Sequence, residues 1–279
     1  MKLGYNTNGF AHHRLEDALA ILAELGYRSI ALTLDWNTVY PGMAGLEQAC
    51  SQLDRQRRDL GLEFVIETGA RFLLDPRRKH QPTLIDPDPQ ARARRRQFLL
   101  GAFDLAVRLE AKVVSLWSGS PVAAESTEQV WDRLVTECRG LCMAAAARGL
   151  RLAFEPEPGM WVATMADFAR LHAAVADPHL GLTLDAGHLF CQDEGSIPDF
   201  IRTWRDWLWN VHLEDMRRGE HEHLPFGSGA MDLPPILAAL DEIGYTGGVH
   251  VELSRHSHDA VATAQCSRDF LVPLGHWVG

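Results

Sequence analysis

Short apolar, β-branched runs alternate along the chain with longer stretches of helical apolar spacing, the pattern of repeated βα units around a parallel sheet. Eight such runs predict strands over 2–5, 29–34, 63–67, 112–116, 151–155, 181–185, 209–213 and 248–252. The stretches 15–25, 46–60, 90–109, 128–147, 165–174, 197–204, 233–243 and 260–270 repeat apolar residues every three or four positions and predict helices. Gly26, Gly61, Gly149 and Gly244 follow four of them and suit left-handed helix caps. No insertion between these units is large enough for a second domain, so the expectation is an α/β protein, a single-domain (β/α)8 TIM barrel over 1–279. The competing architecture, an open doubly wound sheet, would carry a glycine-rich dinucleotide fingerprint after its first strand; Asn6-Thr-Asn-Gly9 is only a turn.

Composition narrows the function more than the fold. With 46% hydrophobic and 23% charged residues the chain can bury a full core. A formal charge of −10 argues against a nucleic-acid partner held by phosphate neutralisation. The densest basic run, Arg92, Arg94, Arg95 and Arg96, reads as the solvated face of a helix. Five cysteines without CxxC spacing signal neither a disulfide framework nor a zinc knuckle, and fit a reducing compartment. The amino terminus has no apolar signal core, and no stretch reaches the ~18 apolar residues of a membrane span. The expectation is a cytoplasmic protein without a membrane partner.

Chemistry in such a barrel sits where strands end, so polar residues that terminate apolar strands are the ones to collect. Four successive strands supply them: Leu152-Ala-Phe-Glu155, Leu182-Thr-Leu-Asp185, Asn210-Val-His212 and Val249-His-Val-Glu252. Adjacent strands lie about 4.8 Å apart, close enough for Glu155, Asp185, His212 and Glu252 to converge on one divalent ion. Three carboxylates and one imidazole form a hard donor set, suited to manganese first, with magnesium, cobalt or zinc as alternatives. In Asp185-Ala-Gly-His188 the glycine permits a tight turn that brings His188 back over the ion, where it would meet a substrate oxygen. Arg217 is a second candidate for binding substrate oxygens, and Asp215 for orienting a ligand from behind. Trp36, Trp117 and Trp161 fall just beyond strand ends and would stack on a sugar-like substrate. The longest connection, 68–90, leaves the third strand as a candidate lid, and its Arg71, Lys79 and His80 would clamp an anionic group.

At these residues the sequence resembles the xylose isomerase-like barrel superfamily, in particular its sugar epimerase and isomerase branch related to ketose 3-epimerases. The resemblance runs along nearly the whole chain and is most specific at Glu155, Asp185-x-x-His188, His212-x-x-Asp215 with Arg217, His223-Leu-Pro-Phe-Gly227-Ser-Gly229 with Asp232, and Glu252. It implies one divalent metal on Glu155, Asp185, His212 and Glu252, with Glu155 and Glu252 also the acid/base pair of an enediolate mechanism on a small polyhydroxy ketone. It implies substrate contacts at His188 and Arg217, and a homodimer or homotetramer. The superfamily's three-metal nuclease branch needs histidines at the ends of the third and fourth strands, which here read Glu67-Thr-Gly69 and Leu116-Trp117-Ser-Gly119.

Two departures keep other reactions open. Many relatives carry a glutamate in the second strand, which here reads Ile30-Ala-Leu-Thr33; and Glu155 is followed by Pro156-Glu157-Pro158, a second acid two residues on. An extra acid suits elimination of water, so a lyase or dehydratase on a keto-sugar or cyclitol stands as the alternative, then other C–O cleavage. A non-catalytic sugar-binding barrel is the reading of a different class, and would exchange no substrate C–H protons.

Overall fold

The computed structural model describes residues 1–122 and 125–278. Eight parallel strands close into a barrel: β1 Lys2–Asn6, β2 Ser29–Thr33, β3 Glu63–Glu67, β4 Val113–Leu116, β5 Arg151–Phe154, β6 Leu180–Asp185, β7 Leu208–Leu213 and β10 Gly248–Val251. Each strand pairs with its sequence neighbour around the ring, and β10 closes it against β1. The helices α1 Leu15–Glu24, α2 Leu46–Asp59, α3 Pro89–Arg108, α4 Thr127–Ala146, α5 Met165–Val175, α7 Ile197–Thr203, α8 Leu233–Glu242 and α9 Ala260–Leu271 alternate with these strands. The predicted (β/α)8 TIM barrel is therefore the observed fold, with boundaries displaced by a few residues at most.

The sequence dictates these elements locally. In α1, Ala18, Leu19 and Leu22 are buried, three and four positions apart, as a single apolar stripe requires. In α3, Asp88 caps Gln90 and Ala91 through its side chain and Pro89 fills the first turn, where no backbone donor is missed. Gly26, Gly61, Gly149 and Gly244 all adopt positive φ after their helices, as their positions imply. One apolar core runs from Met1 to Leu271, with Tyr5, Phe103, Phe154 and Phe168 fully buried.

A short helix and a hairpin outside the eight-unit pattern both shape the active face. Asp185 ends β6 and also caps α6, Ala186–Cys191, by accepting from the His188 backbone at 2.8 Å. After β7 the chain leaves the barrel as an antiparallel hairpin, β8 Asp215–Arg217 and β9 Glu220–Leu224. The hairpin's charged sequence carries no apolar alternation to announce it.

The basic run is not a uniform solvated face. Arg92 and Arg96 face Glu137, but Arg95 is 1% exposed, because helical periodicity puts it in line with Ala91, Phe98 and Ala102. Its guanidinium lies between the rings of Phe98 and Trp117 and donates to the Thr68 carbonyl at 2.8 Å. Burial without a carboxylate pulls its pKa down to about 9. All five cysteines are free, and no helix among the described residues is long and apolar enough to cross a membrane.

Candidate metal centre and active site

The four strand-end residues meet at one point. Each of Glu155, Asp185, His212 and Glu252 offers a donor atom within 4.8 Å of the others'. His212 Nδ1 lies 2.8 Å from Glu252 Oε2, 3.1 Å from Glu155 Oε1 and 4.0 Å from Asp185 Oδ2. On the other side of the ring, His212 Nε2 sits 3.0 Å from Glu67 Oε1, which also accepts from Asn210 at 2.9 Å. A carboxylate only accepts, so Glu67 holds a proton on Nε2, and a cation that displaced the Nδ1 proton would find that lone pair directed at the three acids. Asn8 donates to Glu252 Oε1 at 2.7 Å and holds that carboxylate in place.

These residues fit a divalent cation. Three carboxylates gathered in a buried site repel one another unless a positive charge joins them. Asp185 Oδ2 is buried and has no hydrogen-bond partner among the described residues, as suits an oxygen that ligates a cation. Without a cation the histidine takes the charge itself. Burial opposes protonation of His212, but the carboxylates of Glu67, Glu155 and Glu252 outweigh it and raise its pKa well above normal. Burial pushes Glu155 up to about 8. It also works against Glu252 and Asp185, yet His212 holds Glu252 below the usual range, and His188, His223 and His212 together do so for Asp185.

The centre opens into a polar pocket of about 460 Å³ on the carboxyl face of the barrel, with Glu155, His212 and Glu252 on its floor. His188, Trp117 and Arg71, expected at the substrate, line this pocket. Trp117 is packed between Arg95 on one side and the edge of His80 on another. Arg71, from the 68–90 connection, reaches Asp35 at 3.3 Å and the Asn8 carbonyl at 3.4 Å. That connection forms one wall through Gly69, Phe72, Lys79 and His80 as well. His80 is not the cation expected there: burial lowers its pKa to about 4, and its Nδ1 faces the Gly69 carbonyl at 2.9 Å. Glu157 lines the same pocket as Glu155, despite the intervening proline, and burial followed by repulsion from Glu155 raises its pKa well above normal.

Other expected residues lie elsewhere. Arg217 sits beside the tip of the β8–β9 hairpin, half-exposed, donating to the Ser228 carbonyl at 3.0 Å and near Glu220, outside the pocket. The chain has already turned off the barrel at that point. Asp215 is buried and gathers the backbone N–H groups of Met216, Gly227, Gly229 and Met231, so it organises the following loop rather than a ligand. Trp36 is 74% exposed, and Trp161 packs against Trp131; neither lines the pocket.

Sequence reasoning passed over four contributors. Glu67 ends β3 and was available to the strand-end rule that found the others. Glu214 is fully buried, with no hydrogen-bond partner for either oxygen among the described residues, and burial followed by the nearby Asp185 charge raises its pKa well above normal. His221 and His223, two apart on β9, both line the pocket; the resemblance singled out the stretch that begins at His223 without giving it a role, and the spacing of two was the further signal.

Residues 19–274 match the family model described as xylose isomerase-like TIM barrel. Inosose dehydratase of Lacticaseibacillus casei is 30% identical over 143 residues, 45% of this chain and 48% of that protein. The match therefore spans about half the length of this curated relative. Among solved structures, an L-ribulose 3-epimerase superposes with a TM-score of 0.78 at 21% identity, over 97% of this chain and 93% of that one. The IOLI protein with a binding zinc atom gives 0.78 at 19% identity over 98% of each chain. Likeness at that level of identity carries the fold alone, but the family model covers most of the sequence, and the chain belongs to the xylose isomerase-like TIM-barrel family.

Proposed function

We propose that this chain is a divalent-metal-dependent isomerase or epimerase of a small polyhydroxy ketone, working by removal and return of a proton beside the carbonyl. One observation carries the reading: Glu155 and Glu252, from two different strands, both reach His212 Nδ1, at 3.1 and 2.8 Å, and both line a polar pocket. A divalent cation held by Glu155, Asp185, His212 and Glu252 would polarise the substrate's carbonyl and adjacent hydroxyl and so acidify the C–H bond between them. Glu252, ionised beside the cation and held by Asn8, is the base. Glu155 returns a proton to the other face. Trp117 offers a flat apolar face to the carbon skeleton, and Arg71 a cation at the rim.

A dehydratase is the second reading, favoured by Glu157 in the same pocket and by the similarity to an inosose dehydratase. There the same proton removal precedes departure of a neighbouring hydroxyl, to which Glu157 gives its proton.

The test is turnover in heavy water on a panel of keto-sugars and keto-cyclitols. Wild type should place deuterium at the reacting carbon. Glu155→Gln and Glu252→Gln should each lose at least ~10²-fold in rate, the lower end for positioned acid/base groups. Turnover with neither deuterium uptake nor a primary isotope effect at any C–H position would sink both readings. Glu157→Gln separates them: a dehydratase keeps C–H exchange and loses product formation, whereas an epimerase keeps both.

A further inference from the structure

One buried charge takes no part in the metal centre. Arg95 is 1% exposed on the core-facing side of α3, in line with Ala91, Phe98 and Ala102, where packing alone asks for an apolar side chain. Burial is the one influence on its charge, with no carboxylate to answer it, and its Nη1 is buried without a hydrogen-bond partner among the described residues. An unanswered buried cation costs stability that an apolar residue of similar length would not. The groups it touches point to its use.

Arg95 Cζ lies 4.5 Å from the centroid of the Trp117 ring and 5.4 Å from that of Phe98, and Nη2 donates to the Thr68 carbonyl at 2.8 Å. Trp117 stands one residue beyond β4 and lines the pocket; Thr68 stands one residue beyond β3 and begins the 68–90 connection. That connection folds back on the same group. His80 donates through Nδ1 to the Gly69 carbonyl at 2.9 Å, and its backbone N–H to the Arg71 carbonyl at 2.6 Å. Its ring meets Trp117 edge-on, 5.1 Å between centroids. The contacts close a circuit, from Arg95 to Trp117, to His80, to Gly69 and Thr68, and back to Arg95. Trp117, His80 and Gly69 line the pocket, and Arg95 does not.

We infer that Arg95 is a positioning residue, which fixes the Trp117 indole and the root of the 68–90 connection as one wall of the pocket and acts on the substrate through them. A planar guanidinium can lie against an aromatic ring and donate from its edge at the same time; a lysine ammonium does one or the other. The effect on substrate rests on the function proposed for the pocket, whereas the fixing of the wall does not.

Arg95→Met keeps the apolar length of the side chain and removes the charge and the donor. With fluorotryptophan incorporated, the eight tryptophans give separate fluorine NMR signals, and that of Trp117 is identified by its absence from Trp117→Phe. Hydrogen exchange read by mass spectrometry follows residues 68–90. In Arg95→Met the Trp117 signal should shift or broaden and exchange over 68–90 should rise several-fold, with the thermal midpoint within a few degrees of wild type. Arg95→Lys should fall between the two. An unmoved Trp117 signal with unchanged exchange overturns the inference, and so does a lowered midpoint with all eight signals disturbed, the mark of a merely structural residue. On the keto-sugar or keto-cyclitol that wild type turns over fastest, Arg95→Met should raise KM several-fold and change kcat less. In a Trp117→Phe background it should add little, since a residue acting through another has little separate effect, and full additivity of the two would overturn the route through Trp117. If the NMR and exchange change as expected while KM stays at the wild-type value in both Arg95→Met and Trp117→Phe, the fixing of the wall stands and Trp117 as a substrate contact is what fails.

Discussion

Gly187 shows how tightly single residues constrain the centre. The sequence suggested a glycine chosen for a tight turn, but its backbone is helical in α6, and what it supplies is space. A Cβ there would fall on Glu214 Oε1 and within 2.6 Å of Met216 Cε. Glu214 is fully buried, so Gly187→Ala displaces either that carboxyl or the turn carrying Asp185 and His188. Overpacking of this kind destabilises by about 1–3 kcal/mol, yet the expected loss of bound metal and rate is larger than that loss of stability predicts; metal content and the thermal midpoint of one preparation check it. Asp185→Asn and His212→Ala should lose metal and rate together, and a fully metallated, active variant of either would refute the ligand assignment. Glu67 acts one step further out. By holding a proton on His212 Nε2 it directs the Nδ1 lone pair at the cation, so Glu67→Gln should weaken metal binding about 10-fold or more while leaving all four ligands in place, read by competition with a chromogenic chelator.

Whole βα units were legible because each carries its own periodicity and each strand ends where chemistry belongs. Glu155 and Glu252 stand one residue beyond β5 and β10, and Asp185 and His212 fall opposite each other in the β6–β7 register. The β8–β9 hairpin was not legible: Glu220-His-Glu-His-Leu224 has the period of a strand but no apolar face, so two histidines of the pocket went unassigned. That Arg217 falls outside the pocket has the same cause, since nothing in the sequence says that the chain leaves the barrel at Asp215. The 68–90 connection is the remaining question at this scale. It forms a wall of the pocket, and Arg71 stands in it with Asp35 and a backbone carbonyl as its side-chain partners among the described residues. Arg71→Ala should therefore raise KM for the true substrate several-fold with kcat and the thermal midpoint little changed. An unchanged KM would remove the loop from substrate binding.

Closing the barrel brings together groups that the chain keeps far apart, such as Glu67 and His212, 145 residues from one another. The same closure buries polar side chains in the barrel's interior, where they must choose a charge state. His250 is fully buried, with Nε2 2.9 Å from the Ser29 hydroxyl. Burial, reinforced by the positive charge on His212, lowers its pKa from 6.5 to about 3. The sign of the linkage follows. Between about pH 6.5 and pH 3 the unfolded chain binds a proton at this residue and the folded chain does not, so acid favours unfolding. The stability is fully present above pH 6.5, falls through that window and levels off below it. At pH 4 this one histidine accounts for a loss on the order of 3 kcal/mol relative to pH 7. His80, held neutral by burial down to about pH 4, adds to the loss in the same direction. Urea unfolding at pH 7, 5.5 and 4, with chelator present so that metal release does not contribute, should show the midpoint falling steadily with acid. His250→Gln keeps a polar group near Ser29 without a titrating one, and should be less stable at pH 7 but flatter across the range. Equal losses between pH 7 and 4 in wild type and His250→Gln would mean that another group carries the acid sensitivity.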